Sequence, residues 1–481
     1  MSLFTTAGGG ATQLTGYEVS NSIRFNDNDS QVLNRQFDSD PTSRKTFTFS
    51  AWVKKTIQST GSGQGPTLFS AQTTSNFRSR IYFDNDTFRI QNHSSGSQDI
   101  LGRITHSLRD TNAWYHLVWA IDTTQADGNN GLKLYINGVE QSISVSTYNQ
   151  NATFEFARNG TTTSVGRDNE GSYNYFDGYV AEVNYIDGQQ LAPTEFGEIN
   201  NEGIWVPKEY KGTYGNNGFF LEFKQTGTGG DSSSMGADTS GNDNHFTPDN
   251  LAAKDVVVDT PTNNFMLMNP LFTNSRGTFR EGNTQVETNV QGSDPYGQVE
   301  FGNMHLNTGK WYFEVRPTTI GSGGSLGLGV NERAYENTYT NGHNNGGSSG
   351  NIRWNHSTGA VHDGSVGSTA GATYANDDIL GFAMDLDNNK IYCHKNGTYV
   401  NSGDPAAGSN GITMTSAYSD YWTPWMSKDD TTHNATVDFN FGNPQFAISS
   451  SNSDANGYGN FEYAVPSGFY AICTKNIAKY G

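Results

Sequence analysis

Large apolar or aromatic residues alternate with polar ones in two distant stretches of the chain, Phe47–Lys54 (FTFSAWVK) and Gly309–Val315 (GKWYFEV). Alternation with a period of two residues is typical of a β-strand that buries one face. Each stretch is followed, further along the chain, by a Lys-x-Tyr run that leads to Asn-Gly, at Lys133–Gly138 and at Lys390–Gly397. Asn-Gly suits the positive φ angles of a type I′ turn, so a β-hairpin is predicted. The repeated pattern predicts two β-sandwich modules in tandem, an architecture that more often binds than catalyses.

Composition supports an all-β chain with more than one core. With 481 residues the chain exceeds the usual size of one domain, so two or three domains are expected. Hydrophobic residues make up only 33%, but aromatic residues supply 12%, and each large ring buries much area. The 56 glycines, together with abundant Asn, Ser, Thr and Asp, predict many tight turns.

The charge balance narrows the range of partners. The chain has 29 Lys and Arg against 48 Asp and Glu, a formal net charge of −19. Affinity for nucleic acid depends on cations that neutralise phosphates, so no nucleic-acid partner is expected. The sequence has neither a signal-peptide pattern nor an apolar stretch of about 18 residues. We therefore expect a protein that is made in a cytoplasm and is not inserted into a membrane.

The cysteines and the acidic loops indicate whether disulfides or metal sites are expected in this chain. Cys393 and Cys473 fall in predicted strands, and without secretion signals buried free thiols are favoured over a disulfide. Cysteines and histidines show no zinc-ligand spacing. Three acidic loop pairs offer the oxygen ligands that calcium prefers: Asp27 with Asp29, Asp38 with Asp40, and Asp168 with Glu170. Acidic turns are so frequent in this chain that no metal and no cofactor is assigned, and calcium stays an open alternative.

The first module carries strand motifs in a distinctive order. They are Phe47–Val53 (FTFSAWV), Trp114–Leu117 (WYHL), Leu134–Gly138 (LYING) and Phe176–Gly178 (FDG). In this order and spacing they resemble laminin-G-like (LamG) domains of the concanavalin A-like lectin/glucanase superfamily. The resemblance implies a β-sandwich over residues 21–203. Residues 1–20, which include Gly8–Gly10, precede it as an N-terminal arm, either a frayed terminus or a segment that docks on a larger assembly.

The second module, residues 279–481, has a different set of motifs. They are Lys310–Val315 (KWYFEV), Leu326–Val330 (LGLGV), Gly381–Asp385 (GFAMD), Lys395–Gly397 (KNG) and Asp438–Gly442 (DFNFG). These motifs resemble a SPRY domain, which is also built on a concanavalin-like double sheet. Residues 204–278 are predicted to be a loop-rich connector with one short strand within Gly218–Phe223. The predicted fold class is all-β: two concanavalin-like antiparallel β-sandwich (jelly-roll) domains in tandem, joined by this connector.

Catalytic motifs are missing from the sequence. The glucanase branch of the superfamily places carboxylates on one strand as Glu-x-Asp-x-x-Glu or a close variant, where strand alternation aligns an acid and a nucleophile. Asp385 and Asp387 have the required spacing, but Asn388 and Asn389 turn the chain at once and no third carboxylate follows. We predict that the protein is not an enzyme, and a polysaccharide depolymerase is the least favoured alternative.

Three loops combine aromatic rings with Asn, Asp and Gly, a composition suited to stacking on sugars or to protein recognition. The candidate receptor- or glycan-binding residues in them are Tyr173 and Tyr175, then Tyr335, Tyr339, His343 and Trp354, and finally Tyr418 and Trp425. Each has packing as its alternative role. Trp422 matches a core position of SPRY domains, so it is expected to be buried, whereas Trp354 and Trp425 are expected to be exposed.

Taken together, a LamG-like and a SPRY-like module in one acidic, Asn/Gly-rich chain resemble structural proteins of marine tailed bacteriophages. Met1–Phe4 and the run Ser22–Ser30 fit that resemblance. It implies a non-catalytic virion protein, such as a tail fibre or appendage, that is displayed on the particle exterior and binds host cell-surface glycan or protein. The implied partners are other virion proteins, through the N-terminal arm, and further copies in a homo-oligomer. The alternative is a purely architectural decoration protein.

Overall fold

The structure is a computed structural model that describes residues 16–58, 65–169, 174–272, 277–289, 298–322, 325–332, 350–363, 368–416, 420–429 and 433–481. The chain divides after Thr262 into two compact units. Strands in largely antiparallel sheets supply nearly all of the regular secondary structure of both units, which confirms the predicted all-β sandwich class.

The first unit is a sandwich of two large sheets. Its strands are β1 (Ser22–Phe25), β2 (Val32–Gln36), β3 (Thr46–Lys55), β4 (Thr67–Thr74), β5 (Phe77–Asp84), β6 (Thr87–Ser94), β7 (Ser97–Ile104), β8 (Trp114–Asp122), β9 (Leu132–Ile136), β10 (Val139–Glu140), β11 (Ile143–Tyr148), β12 (Thr162–Val165), β13 (Gly178–Asp187), β14 (Gly197–Ile199), β15 (Trp205–Pro207), β16 (Phe219–Leu221), β17 (Thr247–Asp249) and β18 (Val256–Val257). One helical turn, α1 (Gly128–Gly131), precedes β9, and short 3₁₀ turns occupy Asp27–Asp29, Pro193–Glu195 and Ala253–Asp255.

Sheet 1 has the strand order β10-β9-β8-β3-β13-β1-β18, with β16 also paired to β13. Sheet 2 has the order β11-β7-β6-β5-β4-β12-β2-β17, and β14 pairs with β15 in a separate hairpin. The inner faces of sheets 1 and 2 meet through aromatic rings. Phe49 of β3 stacks on Phe69 of β4 with ring centroids 4.9 Å apart, and Phe88 of β6 lies 6.1 Å from Trp119 of β8. These contacts between alternate residues explain the period of two in the sequence.

The predicted Asn-Gly hairpin is confirmed. Asn137 and Gly138 have φ angles of 48° and 79°, as a type I′ turn requires, and Val139 pairs with Ile136 across it. Asn396 and Gly397 of the second unit repeat the conformation, with φ angles of 49° and 81°.

Residues 204–262 are part of the first unit. Strand β16 pairs with β13, β17 pairs with β2, and β18 pairs with β1. The short strand predicted within Gly218–Phe223 is β16. The polar loop that follows is held by Asp238, whose carboxylate accepts hydrogen bonds from the backbone N–H groups of Phe220 (2.9 Å), Ser240 (2.9 Å) and Asn244 (2.8 Å). Backbone donors therefore occupy the carboxylate of Asp238 and fix the loop to β16.

The second unit is also a two-sheet sandwich. Its strands are β19 (Thr278–Arg280), β20 (Gln285–Glu287), β21 (Gln298–Phe301), β22 (Lys310–Thr319), β23 (Ser325–Asn331), β24 (Asn351–Asn355), β25 (Ala360–His362), β26 (Ser368–Ala370), β27 (Leu380–Asp385), β28 (Lys390–Lys395), β29 (Thr398–Tyr399), β30 (Ile412–Thr413), β31 (Thr423–Asp429), β32 (Thr436–Asn440) and β33 (Tyr470–Ala471). A 3₁₀ turn covers Val400–Ser402, and the helix α2 (Thr474–Tyr480) ends the chain.

Sheet 3 has the order β19-β20-β32-β22-β27-β28-β29, with β30 on β28 and β33 on β22, and sheet 4 has the order β21-β31-β23-β24-β25-β26. Trp354 of sheet 4 meets Phe382 of sheet 3 edge to face, with ring centroids 6.4 Å apart. Cys393 and Cys473 are free and buried, as predicted.

Candidate ligand-binding face

Two of the predicted binding residues, Trp354 and Trp425, are buried, so their predicted exposure is wrong. Both side chains have a relative exposure of 0%. Each indole also has an internal acceptor, since Trp354 donates to the carbonyl of Ala372 (3.0 Å) and Trp425 to the carbonyl of Ile352 (3.2 Å). The reason is that these tryptophans lie on strands β24 and β31 rather than on loops. Trp422, predicted to be buried, is confirmed with an exposure of 2%.

The remaining candidates are spread over different parts of the chain. Tyr173, Tyr335, Tyr339, His343 and Tyr418 lie outside the described residues. Tyr175 is described and half-buried, next to Phe176, whose ring packs in the core 6.3 Å from both Phe25 and Phe83. Among the eight candidates, Tyr175 is thus the described residue that keeps an accessible ring.

The segment around Tyr175 is fixed to sheet 2 at both of its described ends, 166–169 and 174–177. The backbone N–H of Phe176 donates to the carbonyl of Gly166 (2.9 Å), and that of Thr67 donates to the carbonyl of Asn174 (3.0 Å). At the other end, the carboxylate of Asp168 accepts from Arg80 of β5 (2.7 Å). Asp168, considered in the sequence as a calcium ligand, therefore forms an ion pair with a guanidinium.

The outer face of sheet 2 is a continuous polar surface. Ile81, Phe83, Phe88 and Ile90 point into the core, so the alternate residues of the same strands point outward. The register places Ser70, Arg80 and Gln91 side by side across β4, β5 and β6, and Gln72, Arg78 and His93 side by side in the next row.

A chain of hydrogen bonds crosses this face in one direction. Arg80, which donates to Asp168, also donates from Nε to Oε1 of Gln91 (2.7 Å). Gln91 donates from Nε2 to Oε1 of Gln98 (2.7 Å), and Gln98 donates from Nε2 to Oγ1 of Thr147 (3.0 Å). The guanidinium of Arg80 lies 4.2 Å from the centre of the Tyr82 ring. The bonded chain holds its side chains in single orientations, as a preformed binding surface requires.

The next row of outward side chains, beside these hydrogen-bonded residues, is more accessible, and two of its polar atoms lack a hydrogen-bond partner among the described residues. Gln72, Arg78 and His93 are half-buried. In the described part of the chain, Oε1 of Gln72 and Nε2 of His93 have no hydrogen-bond partner. An unsatisfied polar group that is shielded from water costs about 1–3 kcal/mol. Burial, with Arg78 and Arg80 nearby, lowers the pKa of His93, so the imidazole is neutral at pH 7.

The opposite end of the same face carries two more arginines. Arg89 of β6 and Arg103 of β7 are direct cross-strand neighbours. Arg89 is paired with Asp84 (2.6 Å), whereas Arg103 is exposed and has no ion pair with any described residue. Strands β5 and β6 lie outside the three loops that the sequence predicts to bind a ligand. Their alternating Arg-x-Arg-x-Tyr and Arg-x-Gln-x-His positions were the signal for this face.

The outer face of sheet 1 contains a Ser–His pair, but its polarity is wrong for catalysis. Ser50 Oγ lies 2.9 Å from Nε2 of His116, and Nε1 of Trp205 donates to Nδ1 of His116 (3.0 Å). Because an indole N–H only donates, Nδ1 is unprotonated and Nε2 carries the hydrogen. The imidazole therefore donates to Ser50 instead of accepting its proton, which a general base must do. Burial lowers the pKa of His116 to about 3.

The last residues of the predicted arm, 16–20, pack on this same face. Tyr17 donates to the carboxyl of Glu182 (2.8 Å), and Val19 is buried against Trp52. Glu182 lies in a bulge of β13 between Ala181 and Asn184, with a positive φ of 52°. Burial raises the pKa of the Glu182 carboxyl to about 8. Part of the arm is thus bound to its own sandwich.

Asp385 and Asp387, the pair with glucanase-like spacing, have structural partners. Asp385 is paired with Lys310 (2.8 Å), and Asp387 accepts from the backbone N–H of Gly309 (2.8 Å). In the part of the chain that is described, no three His, Cys, Asp or Glu side chains come together in a way that could hold a metal ion. Among the described residues, no helix combines the length and the apolar character that crossing a bilayer requires.

Comparison with known proteins agrees with this architecture. Residues 6–194 match the Laminin_G_3 family model, described as concanavalin A-like lectin/glucanases superfamily. The chain therefore contains a concanavalin A-like lectin/glucanase-type domain. A search of curated proteins finds no match.

Solved structures similar to this chain include two SPRY domains and a pentraxin. The SPRY domain of human HERC1 is 10% identical, with a TM-score of 0.27, and the match covers 36% of this chain and 96% of that chain. The TRIM65 PSpry domain is 15% identical, with a TM-score of 0.27 and coverage of 36% and 91%. The native heptameric SAP-like pentraxin from Limulus polyphemus is 15% identical, with a TM-score of 0.26 and coverage of 37% and 80%. At these identities the similarity concerns the fold alone.

Proposed function

We propose that this protein is a non-catalytic virion component of a tailed bacteriophage that binds a glycan or protein on the host cell surface. In this proposal it is displayed on the particle exterior as a tail fibre or appendage. The lectin-type domain supports a binding role, and the sequence resemblance supports the virion setting.

The observation that carries the proposal is the row Gln72, Arg78 and His93 on the outer face of sheet 2. It combines an amide, a guanidinium and a neutral imidazole on a rigid sheet, next to side chains that are already fixed by hydrogen bonds. Two of its polar atoms have no partner in the described structure. Ligand hydroxyl or amide groups would complete these hydrogen bonds once the two half-buried side chains turn outward, and the hydrogen-bonded residues beside them lose little entropy on binding.

The remaining parts of the proposal concern assembly. The N-terminal arm would attach the chain to other virion proteins, while its described residues, 16–20, pack on the sandwich itself. A homo-oligomer would present several copies of the face to one cell. Multivalent display raises the avidity of weak glycan binding without any new contact.

The test is a glycan array and a host-cell binding assay with the purified full-length chain. We expect specific binding that falls about tenfold when Gln72→Ala and His93→Ala are combined, because both unsatisfied groups are removed. The matched control combines Gln189→Ala with His433→Ala, which deletes the same residue types elsewhere. The proposal fails if the chain binds neither glycans nor host cells and virions that lack it adsorb normally.

A second candidate, a purely architectural decoration protein, is favoured by one other feature. The β14–β15 hairpin exposes Ile199 (68%) and Ile204 (53%), and Val139 is exposed (62%) next to Gly138, which lies against Trp205 of that hairpin. Exposed apolar side chains of this kind suit contact with another protein. Under this alternative, Ile199→Ser with Ile204→Ser would block incorporation into virions, whereas the Gln72 and His93 variant would leave both incorporation and adsorption unchanged.

A further inference from the structure

We propose that Lys54 and Asp259 form a covalent cross-link, an amide between Nζ of the lysine and Cγ of the aspartate, which arises inside the folded first unit with the loss of one water. The bond is a self-modification of the chain. It is independent of the proposed binding role, and it fixes the last residues of the first unit to strand β3.

The two reacting groups are already in contact. Nζ of Lys54 lies 2.7 Å from each of the two carboxylate oxygens of Asp259. The hydroxyl of Ser22 on β1 donates to the backbone carbonyl of Asp259 (2.6 Å), which holds this residue beside β3. Groups that a fold holds about 3 Å apart react as parts of one molecule, without the entropy cost of an encounter.

The strands on either side shield this pair from water. The sheet register places Lys54 between Trp114 of β8 and Tyr179 of β13. Nζ lies 5.2 Å from the centre of the Trp114 ring and 5.0 Å from that of Tyr179. The side chains of Lys54 and Asp259 both have a relative exposure of 0%. Two charges at this depth have lost their hydration, and a neutral amide removes that cost. The dry site also excludes the water that would hydrolyse the amide.

The surroundings favour attack by the lysine on the carboxyl group. Burial lowers the pKa of the Lys54 ammonium, an effect that the Asp259 carboxylate opposes. A lysine that is desolvated in an apolar site becomes a nucleophile once it is neutral. Nε1 of Trp114 donates to Oδ1 of Asp259 (3.1 Å). A donor on this oxygen stabilises the negative charge that develops there during the attack.

The condensation balances without an outside reagent. One proton moves from the ammonium to Oδ2 of Asp259, and the lone pair of the neutral amine then forms the Nζ–Cγ bond. The bond between Cγ and Oδ2 breaks, and Oδ2 leaves as water with that proton and a second one from the nitrogen. The third proton stays as the amide N–H, and Oδ1 becomes the amide oxygen.

A neighbouring ion pair provides an internal comparison. Nζ of Lys55 lies 2.5 Å from Oδ1 of Asp86 and also donates to the carbonyl of Leu108 (3.1 Å). Both side chains of this pair reach solvent, with exposures of 3% and 8%. Because water stabilises the charged forms, we expect this pair to stay ionic.

The cross-link changes the path of tension through the first unit. Lys54 and Asp259 are 205 positions apart in the chain. Tension that enters before β3 and leaves after Thr262 would pass from Lys54 through the amide to Asp259. The strands between them would then bear no load.

The experiment is mass spectrometry of the purified full-length chain after denaturation, followed by tryptic peptide mapping. We expect a mass one water below the value calculated from the sequence. Trypsin cuts after Lys and Arg, so the branched product joins residues 46–55 to residues 255–276. On a denaturing gel the linked chain should migrate faster than an open chain, because the bond closes a long loop in the unfolded state.

Two variants complete the experiment. Lys54→Arg keeps a cation beside Asp259 but removes the primary amine, so its mass should equal the sequence value. Lys55→Arg makes the same change at the neighbouring pair and should keep the loss of one water. A wild-type chain that retains its full sequence mass after long incubation in the folded state would overturn the cross-link. A water loss that persists in Lys54→Arg would overturn it too, because the dehydration then lies elsewhere. The branched peptide identifies the bond in the wild-type chain itself, so the result does not depend on how well a variant folds.

Discussion

At the scale of single residues, the environment of a side chain decides its role more than its type does. Trp354 is a residue type that often stacks on sugars, but it lies in the core. Its ring centroid is 6.0 Å from that of Tyr374, and its indole N–H donates to a backbone carbonyl of the same unit. His116 has a serine partner, but the donor on its other nitrogen sets the wrong tautomer for a base. His93, an ordinary strand residue in the sequence, has a buried ring nitrogen with no hydrogen-bond partner among the described residues.

Replacing Trp354 by alanine tests its structural role. We expect the free energy of unfolding to fall by about 3–5 kcal/mol, because the variant leaves a cavity in the sandwich core. Urea unfolding followed by circular dichroism measures the change. Tyr421→Ala, at a side chain with 40% exposure, serves as the control and should cost far less. A Trp354→Ala variant of unchanged stability would return this residue to the binding candidates.

At the scale of secondary-structure elements, most of the candidate binding side chains among the described residues lie on strand faces and hairpins. The outer rows of β4 to β7 exist because antiparallel register aligns residues from separate strands. The turn between β9 and β10 packs closely against the ring of Trp205. A Cβ atom added at Gly138 would lie 2.5 Å from the Trp205 ring, whereas one at Gly160 would meet nothing within 4 Å.

Alanine at Gly138 and at Gly160 separates backbone strain from steric conflict. Both positions have positive φ, 79° and 70°, so each substitution costs about 1–2 kcal/mol of conformational strain. Gly138→Ala should lose about 1–3 kcal/mol more, because Trp205 must shift. The comparison requires the free energies of unfolding of the two variants. Equal losses would show that the contact with Trp205 is not tight.

At the scale of the whole molecule, two buried ionisable groups make the stability of the first unit depend on pH. The folded pKa of His116 is about 3, against 6.5 when exposed, so the unfolded chain binds the extra proton and stability falls as pH decreases from 6.5 towards 3. The folded pKa of Glu182 is about 8, against 4.5 when exposed, so the folded state keeps the proton and stability falls as pH rises from 4.5 to 8.

Between pH 7 and 8 the imidazole of His116 is largely neutral in both the folded and the unfolded state, so its contribution changes little, while the Glu182 contribution still falls. We expect the free energy of unfolding of the wild-type first unit to fall by about 1 kcal/mol over this range, since one pKa unit corresponds to about 1.4 kcal/mol and the folded carboxyl itself ionises near pH 8. Glu182→Gln keeps an acceptor for Tyr17 and should abolish the slope, whereas Glu198→Gln, at an exposed carboxylate, should preserve it. Urea midpoints at several pH values measure the slope, and an unchanged slope in Glu182→Gln would contradict the assignment.

The sequence by itself determined the features that depend on neighbouring residues. Alternation along Phe47–Lys54 predicted strand β3, and Asn137-Gly138 predicted the turn that joins β9 and β10, because strand pleat and turn conformation are local properties. The all-β class, the buried thiols and the burial of Trp422 followed from the same kind of pattern and from the family resemblance.

Only the tertiary structure decided which residues form a surface together. Arg80 and Asp168 are 88 positions apart in the chain, and Trp205 reaches His116 across 89, so no local pattern relates them. The burial of Trp354 and Trp425 likewise depends on which strands pair and which sheet covers them. Pairing register is set by the packing of the entire core, and a shift of one residue would turn each outward side chain inward. The polar face of sheet 2 is therefore a property of the folded sandwich.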